Sequence, residues 1–390
     1  MSTSTVDPAV AVPTQVDAQD QQDQQDQQDQ QDQQDQQATE AFVGRLFEAA
    51  IGALDLFAIG LGDRLGLYAA LREHGPLTSS GLAEHAGVAE RYAREWLEQQ
   101  AVTDIVTVDD TTAAATERRY TLPDHVVPVL LEPTHPAYLA PVAALIPPVG
   151  QVFDRIVEIY RTGEGLAWSD YPTGLIEAQA AFNRPAFTHE LAGWLEAVPE
   201  IEARLSSGAA RVADLACGAG WSTQAIARHY PHAVVHGLDI DDTSIVLARQ
   251  NVAGTDVADR VHFEVCDLAE PAEAAYDVAT MFEALHDLSH PVQVLCSVHE
   301  SLVPGGVLLV ADERAAEQFT APGDPFERLF YGASLLVCLP GSLVDGGVGT
   351  GTAIRPSTVR EYAAAAGFAS CEVADIEHPL FRFYVLRKAG

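Results

Sequence analysis

The segment Asp214-Leu-Ala-Cys-Gly-Ala-Gly220 decides the fold of this 390-residue chain. It ends a short apolar run, 211–215, that is predicted to be a strand, and it precedes a predicted helix at 222–228. Gly218 and Gly220 let a ligand approach the backbone where a side chain would collide, and the helix behind them offers free N–H groups. The turn alone is a weak signal, because a tight glycine turn occurs in many α/β proteins.

Two acids follow the next predicted strands in the order typical of a nucleotide-binding parallel sheet. Asp239 comes after the strand 233–238, nineteen positions beyond Gly220, and Asp267 comes after the strand 261–265. An acid at Asp239 can accept hydrogen bonds from both ribose hydroxyls. A dinucleotide enzyme more typically has GxGxxG, whereas this chain reads Gly218-Ala-Gly220-Trp-Ser-Thr.

These residues resemble the class I methyltransferases that depend on S-adenosylmethionine (SAM). The resemblance implies an α/β fold, with a Rossmann-like seven-stranded methyltransferase sheet over residues 206–390 and SAM as the cofactor. The stretch 302–310 resembles the family's turn and strand after the fourth helix, and 371–375 with 382–386 resembles its closing antiparallel hairpin. Ala216 stands where the family often has glycine.

The resemblance also implies roles for individual residues. Asp214 and the two glycines would lie under the methionine moiety, Asp239 would bind the ribose, and Cys266-Asp267 would meet the adenine amino group. The full set implied for cofactor binding is Asp214, Gly218, Gly220, Asp239, Ile240, Cys266, Asp267, Leu268 and Phe282.

An N-terminal module precedes this domain, at residues 39–150. Apolar side chains from Phe42 to Phe57 recur at three- and four-residue steps, which predicts a helix with one apolar stripe that something must cover. A winged helix is predicted by the order that follows: helix 63–73, a Gly75-Pro76 break, a short helix capped by Thr78 or Ser79, a turn at Gly87, helix 89–100, and extended pieces at 105–108 and 119–122.

This winged helix is expected to mediate dimerisation or to act as a lid, and not to bind DNA. Residues 41–150 contain fourteen acids against seven arginines, and the candidate recognition helix alternates acidic and basic residues. With this module included, the chain is similar to plant-type and bacterial O-methyltransferases, which dimerise through it. The resemblance implies a homodimer.

In those O-methyltransferases the segment after the fourth strand carries a His-Asp pair whose histidine is the general base, and Met281-Phe-Glu-Ala-Leu-His286-Asp287 resembles that element. A sulfonium methyl is already electrophilic, so the enzyme needs only to align an acceptor and remove its proton, which a histidine does at neutral pH. The resemblance implies Asp312 as the acid that orients His286, although the family more often has glutamate. His286 could alternatively make only a structural hydrogen bond.

A metal site is not predicted. His286, Asp287 and His290 could share a helical face, but Pro291 follows at once and no third ligand is identifiable. Capping and surface roles are the simpler interpretation.

The sequence also predicts the structure of three other segments. Residues 1–38 are predicted to form a disordered tail, because the Gln-Gln-Asp repeat at 19–37 contains no apolar side chain and places like charges three positions apart. Residues 151–205 are predicted to form a helical linker and pocket wall. The apolar stretch 326–343 resembles the insertion that roofs the acceptor site in the family, and the glycine-rich 341–351 is predicted to be a mobile loop beside it.

Composition limits the partners and the compartment. The formal charge of −34 predicts no binding to nucleic acid or to anionic membranes. The five cysteines are widely spaced and odd in number, which favours a reducing cytoplasm over a disulfide framework. No apolar run is long enough to span a bilayer, and the N-terminus has no signal-peptide pattern.

The sequence therefore predicts a cytoplasmic methyltransferase that acts on a small apolar or aromatic metabolite of secondary metabolism. Oxygen is the favoured acceptor atom, and carbon or nitrogen is possible. Two alternatives remain: an enzyme of this fold that uses SAM without consuming it, and a non-catalytic winged-helix regulator.

Overall fold

The computed structural model describes residues 15–270 and 276–390. The chain divides into two compact units, one ending at Asp55 and the other beginning at Leu56. The described residues of the first unit all belong to helix α1, Gln15–Arg64, whose last residues, from Leu56, are part of the second unit.

The predicted disorder of the Gln/Asp-rich tail is wrong for residues 15–38, which are helical; residues 1–14 lie outside the described residues. Glutamines of the repeat donate to acids four positions later: Gln28 Nε2 to Asp32 Oδ1 at 3.0 Å, and Gln31 Nε2 to Asp35 Oδ1 at 2.8 Å. Such i,i+4 pairs stabilise a helix, and they offset the repulsion between like charges on which the prediction rested.

The second unit begins with the winged helix. Its elements are α2 Leu67–His74, α3 Ser79–Ala86, α4 Glu90–Val102, the antiparallel pair β1 Thr107–Val108 and β2 Tyr120–Thr121, and the short α5 Val127–Leu130. The predicted helix 63–73 is interrupted at Gly66, which adopts φ 67°, so α2 starts four residues late. Thr78 is the cap of α3, because its Oγ1 accepts a hydrogen bond from Gly81 N at 3.2 Å.

A helical segment connects the winged helix to the sheet. It contains α6 Pro141–Gln151, α7 Phe153–Thr162, α8 Thr173–His189, α9 Leu191–Glu196 and α10 Pro199–Ser206. The helical linker predicted at 151–205 thus comprises α7, α8, α9 and α10. Trp194 is 4% exposed and packs against Phe282 and Phe383, so it belongs to the core and not to an open pocket wall.

The C-terminal part alternates strands and helices in the predicted order. Its elements are β3 Arg211–Leu215, α11 Trp221–His229, β4 Val234–Asp239, α12 Asp242–Val252, β5 Val261–Val265, β6 Tyr276–Phe282, α13 Pro291–Ser301, β7 Leu302–Glu313, α14 Pro325–Ala333, α15 Leu339–Ser342, α16 Pro356–Ala365, β8 Ser370–Val373 and β9 Phe381–Arg387.

These strands form one seven-stranded sheet with the order β5-β4-β3-β6-β7-β9-β8, which confirms the predicted fold class. Neighbours from β5 to β7 are parallel, and β9 runs antiparallel to both β7 and β8. Apolar clusters cover both faces of the sheet. The strand order reverses between β3 and β6, and in open α/β sheets ligands bind at the carboxyl ends of strands at such a switch point.

Candidate active site

The turn after β3 has a strained, left-handed backbone. Ala216 has φ 52°, Gly218 φ 52° and Gly220 φ 77°. A left-handed alanine costs about 1–2 kcal/mol, so the family's usual glycine at the position of Ala216 has a conformational reason, and here the surrounding structure holds the alanine in that shape. A Cβ added at Gly218 would meet no atom within 4 Å, so its place is open to a ligand.

Asp214 holds this turn together from beneath. Its Oδ2 accepts hydrogen bonds from Ser222 Oγ and Thr223 Oγ1, both at 2.6 Å, and its Oδ1 accepts one from Thr280 Oγ1 at 2.7 Å. Burial raises the pKa of Asp214, while the three hydroxyls favour its charged form. The carboxylate therefore ties β3, α11 and β6 together, and its direct contact with a cofactor stays a prediction.

Asp239 lies at the end of β4, beside the glycine turn. Its Oδ2 accepts a hydrogen bond from Gly218 N at 2.8 Å, and its Oδ1 accepts one from Asp241 N at 2.9 Å. Burial raises its pKa to about 6. Each carboxylate oxygen has a second lone pair, so Asp239 can still accept hydrogen bonds from a diol.

The predicted adenine-binding residues follow β5 at the same edge of the sheet. Cys266 N donates to Asp239 O at 2.8 Å, which joins the two loops. Asp267 is exposed, and its Oδ1 accepts a hydrogen bond from Ala269 N at 2.9 Å. Ile240 is exposed and Leu268 is partly buried.

Phe282, the last residue of β6, is buried among aromatic side chains. Its ring centroid lies 5.6 Å from that of Phe187 and 6.0 Å from that of Trp194. The side chain thus packs in the core, and only its position at the strand end supports a place in the cofactor site.

His286 and Asp312, which are 26 positions apart, are brought together at the ends of β6 and β7. His286 Nδ1 lies 2.6 Å from Asp312 Oδ1, and His286 N donates to Asp312 Oδ2 at 3.2 Å. His286 is 2% exposed. Because a carboxylate only accepts hydrogen bonds, Nδ1 carries a proton and the other ring nitrogen, Nε2, is the one available for chemistry.

Two more carboxylates face this imidazole. Glu313 Oε2 lies 2.9 Å from Nδ1, and Asp287 Oδ1 lies 3.3 Å from Nε2. Neither oxygen accepts a hydrogen bond of good geometry among the described residues, so these contacts are mainly electrostatic. Burial opposes the charged imidazolium, but Asp287, Asp312 and Glu313 outweigh it and raise the pKa of His286 well above its usual range.

A further acid, the partly buried Glu283, was not predicted. It has φ 52°, its backbone N donates to Ala311 O at 2.8 Å, and burial raises its pKa to about 7. Its Oε2 accepts hydrogen bonds from Asn183 Nδ2 at 2.6 Å and from Gln179 Nε2 at 3.1 Å. Both donors lie on α8, about a hundred residues earlier, so nothing in the sequence pairs them with Glu283 before the fold is known.

Two sets of side chains at this site have the composition of metal ligands. His286, Asp312 and Glu313 have ligand atoms within 4.8 Å of one another, and so do His286, Asp287 and Cys338. His290, weighed as a ligand in the sequence, belongs to neither set; it is exposed at the start of α13. A metal bound to Nε2 would occupy the lone pair that a general base needs.

The segment after β7 packs against the connecting helices. A π-helical turn at Ser334–Cys338 follows α14, and π-helical turns are frequent at functional sites. Tyr160 Oη donates to Leu335 O at 2.8 Å and Tyr171 Oη donates to Leu336 O at 2.7 Å. These hydrogen bonds hold the turn in place, and Cys338 at its end lies beside His286 and Asp287.

Comparison with known families gives the class of these domains. Residues 206–329 match the family model described as a methyltransferase domain, and residues 52–131 match the Rv2258c-like winged HTH domain. The chain therefore carries a methyltransferase domain preceded by a winged helix-turn-helix domain, as the resemblance predicted.

Individual curated relatives match only part of the chain. A trans-aconitate 2-methyltransferase of Methylobacterium nodulans is 36% identical over 102 residues, which are 26% of this chain and 37% of the relative. A ubiquinone biosynthesis O-methyltransferase of Pseudomonas aeruginosa is 28% identical over 193 residues, 48% of this chain and 76% of the relative. The first curated relatives are matched over only 25% to 45% of their own length.

Solved structures cover nearly the whole chain and show the fold. Human N-acetylserotonin methyltransferase, solved with SAM, superposes with a TM-score of 0.67 at 17% identity and covers 89% of this chain and 98% of its own. Mitomycin 7-O-methyltransferase has a TM-score of 0.64 at 21% identity, and the match covers 90% of this chain and 99% of that chain. Within the described residues, no helix has the length and apolarity needed to cross a bilayer.

Proposed function

We propose that this protein is a cytoplasmic SAM-dependent methyltransferase that methylates a hydroxyl oxygen of a small apolar or aromatic metabolite, with His286 as the general base. The observation that carries the proposal is the buried His286–Asp312 pair at the ends of β6 and β7. In the sheet, β6 is the neighbour of β3, whose glycine turn is hydrogen-bonded to Asp239 at the end of β4. The five free thiols fit a reducing compartment.

The residues at the carboxyl ends of β3 and β4 fit the cofactor. Asp239 retains acceptor capacity for the ribose hydroxyls, and the open space at Gly218 lets a ligand lie against the backbone. When bound, SAM supplies a sulfonium methyl group that is already electrophilic. The protein then needs to position the acceptor and remove its proton.

His286 can perform that proton removal in its neutral form. Asp312 then fixes the tautomer with hydrogen on Nδ1, so Nε2 presents a lone pair toward an acceptor hydroxyl. As the acceptor oxygen gains the methyl group, its proton passes to Nε2, and the resulting imidazolium is stabilised by Asp312, Glu313 and Asp287.

Apolar side chains on the insertion support an apolar acceptor. Leu336 and Val337 of the π-helical turn pack with Tyr171 and Leu175 of the connecting segment. The charges of the winged helix also favour a small-molecule acceptor over a nucleic acid or a membrane. The arginines of α4 are engaged with acids: Arg91 with Glu95, and Arg94 with Glu90.

We further propose that the protein is a homodimer through its N-terminal region. Within the first unit, α1 carries exposed apolar side chains, including Phe42, Leu46, Phe47 and Leu54, of which Phe47 is 66% exposed. Such a set of exposed large apolar residues indicates an interface. The resemblance to O-methyltransferases that dimerise through their N-terminal module supports a second copy of this chain as the partner.

The experiment is turnover with labelled SAM and a panel of phenols and other hydroxylated metabolites, with S-adenosylhomocysteine (SAH) and the methylated product followed by mass spectrometry. We expect equal amounts of SAH and methyl ether, and a loss of about 100- to 10,000-fold in kcat for His286→Ala. The matched control is His290→Ala, an exposed histidine four positions away, which should turn over normally.

Substrate conversion with SAM bound but no SAH formed would overturn methyl transfer and favour non-reactive use of the cofactor. Unchanged turnover in His286→Ala would assign that histidine a structural role.

A further inference from the structure

His286 Nε2 belongs to a cluster of three atoms, each of a type that binds transition metals. Asp287 Oδ1 lies 3.3 Å from Nε2, and Cys338 Sγ completes a set in which all three atoms lie within 4.8 Å of one another. The sequence offers no third ligand beside His286 and Asp287, because Cys338 is distant along the chain. The fold supplies it at the end of the π-helical turn Ser334–Cys338.

The spacing and chemistry of the cluster fit zinc. Zn²⁺ binds nitrogen and oxygen ligands at about 2.0–2.2 Å in a tetrahedron, which places such ligands about 3.3–3.5 Å from each other. The separation between His286 Nε2 and Asp287 Oδ1 is 3.3 Å. A cysteine sulfur beside an imidazole and a carboxylate favours zinc over magnesium or calcium. Three protein ligands leave the fourth position of the tetrahedron to water.

The electrostatics of the cluster favour a cation. Asp287, Asp312 and Glu313 all contact His286, and within the described residues none of the three forms an ion pair with an arginine or a lysine. Their combined negative charge exceeds that of one imidazolium, so the site attracts a divalent cation. Asp287 Oδ1 is buried without a hydrogen-bond partner among the described residues, yet the side chain as a whole is 39% exposed, which gives an ion a route from solvent.

The surroundings hold two of the ligands in place. His286 Nδ1 lies 2.6 Å from Asp312 Oδ1, and histidines that bind a metal usually donate their other ring N–H to a carboxylate, which orients the ring and makes it a better ligand. The turn that carries Cys338 is held by hydrogen bonds from Tyr160 Oη and Tyr171 Oη. The contact that prepares Nε2 as a base therefore also prepares it to bind zinc.

We propose that His286, Asp287 and Cys338 bind Zn²⁺ and that the bound ion inhibits methyl transfer; the inhibition rests on the proposed function. Binding forms bonds from zinc to Nε2, Oδ1 and Sγ, and the thiol proton of Cys338 is released to solvent. The lone pair of Nε2 is then engaged with the metal, so it cannot take the proton of the acceptor hydroxyl. Removal of the ion restores the base, which makes turnover depend on the free zinc concentration.

Metal binding can be measured on the full-length protein without turnover. Zn²⁺ is titrated by calorimetry, and Co²⁺ serves as a spectroscopic probe, because a cobalt–thiolate bond gives a charge-transfer absorption in the near ultraviolet. We expect one site per chain that shows this absorption. Cys338→Ser should abolish the absorption and weaken zinc binding by about 100-fold or more, since loss of a partner of a metal-bound histidine alone costs about 10- to 100-fold.

The matched control is Cys371→Ser, which removes another partly buried thiol, on β8, and should keep both the absorption and the zinc affinity. Unchanged far-ultraviolet circular dichroism shows that both variants are folded. Turnover then tests the inhibition. Zn²⁺ should lower the kcat of the wild-type protein in proportion to the occupancy of the site, and a chelator should restore it. Cys338→Ser, compared with its own zinc-free rate, should no longer respond to the same zinc concentrations.

The contrary results are distinct. An unchanged cobalt absorption in Cys338→Ser would overturn the site. Zinc that fills the site without slowing turnover would overturn the inhibition, and turnover that requires zinc would overturn both the inhibition and the role of His286 as the general base. Absence of methyl transfer by the zinc-free wild-type protein would overturn the proposed function and the inhibition with it, whereas the cobalt spectrum would still decide whether the metal site exists.

Discussion

His286 and Asp312 are joined twice: the imidazole Nδ1 lies 2.6 Å from Oδ1, and the backbone N of His286 donates to Oδ2 at 3.2 Å. One carboxylate therefore fixes both the position of the chain at residue 286 and the tautomer of the ring. Nδ1 is committed to this contact, so only Nε2 can exchange a proton with an acceptor.

Asp312→Asn should lower kcat while leaving SAH binding intact. The amide cannot hold the imidazole in one tautomer, so a fraction of the enzyme would present Nε2 already protonated. We expect a loss of about 100-fold or more in kcat, within the range of general-base contributions. Asp312→Glu should recover part of the activity if the carboxylate acts by orientation. A parallel loss of SAH affinity would instead indicate local unfolding.

The pH dependence of turnover should report the carboxylates around His286. Because Asp287, Asp312 and Glu313 raise the pKa of His286, the neutral base becomes available only at a pH well above 6.5, and kcat should rise with pH through that higher value. Asp287→Asn removes a negative charge next to Nε2, so the pKa should fall and the rising limb should move to lower pH. A limb that stays in place, or moves upward, would contradict this electrostatic assignment.

Cofactor affinity should depend on the ionisation of Asp239. Burial raises the pKa of this carboxyl to about 6, and its charged form accepts hydrogen bonds from hydroxyls best. Below that pH the carboxyl is protonated, so SAH binding should weaken as pH falls from 7 to 5. Asp239→Asn should bind weakly and show little pH dependence in the same titration. An equally steep pH dependence in the variant would assign the effect to another group.

Gly220→Ala should destabilise the protein by about 2–5 kcal/mol, the sum of left-handed strain and overpacking. Gly220 has φ 77°, and an added Cβ would lie 2.4 Å from Phe263 Cζ. The control is Gly254→Ala, with φ 74° but nothing within 4 Å, which should show the strain of about 1–2 kcal/mol alone. Urea unfolding measures both, and equal losses would show that crowding against Phe263 contributes nothing.

The proposed N-terminal interface can be tested by placing negative charges on the apolar surface of α1. Introducing Phe47→Asp together with Leu54→Asp should convert a dimer into a monomer in sedimentation velocity, since both apolar side chains are exposed within the first unit. Tyr92→Asp is the control, because that side chain is 79% exposed on α4 and outside this surface. A wild-type monomer, or a variant that remains dimeric, would contradict the proposed interface.

Local sequence patterns predicted the sheet accurately. The predicted strands at 211–215 and 261–265 coincide with β3 and β5. Their ends were predictable because turn residues and acids directly follow the apolar runs in the sequence. The winged helix was predicted equally well, because its helices end where the sequence has Gly75-Pro76 and Gly87.

What the sequence did not predict depends on long-range contacts. Glu283 meets Asn183, and Arg184 meets Trp221, only after α8 packs over the strand ends. Asp214 has the sequence position of a ligand-binding acid, yet its carboxylate accepts hydrogen bonds from three hydroxyls, two on α11 and one on β6. The helical Gln/Asp repeat shows the converse error, in which favourable i,i+4 side-chain pairs outweighed repulsive charge spacing.

The most direct measurement is a calorimetric titration of the purified protein with SAH. We predict saturable binding of one nucleoside per chain, lost or strongly weakened in Asp239→Asn and retained in His286→Ala. Absence of any heat or thermal stabilisation from SAH or SAM, with the protein folded, would contradict the assignment of the crevice between β3, β4 and β6 as a cofactor site.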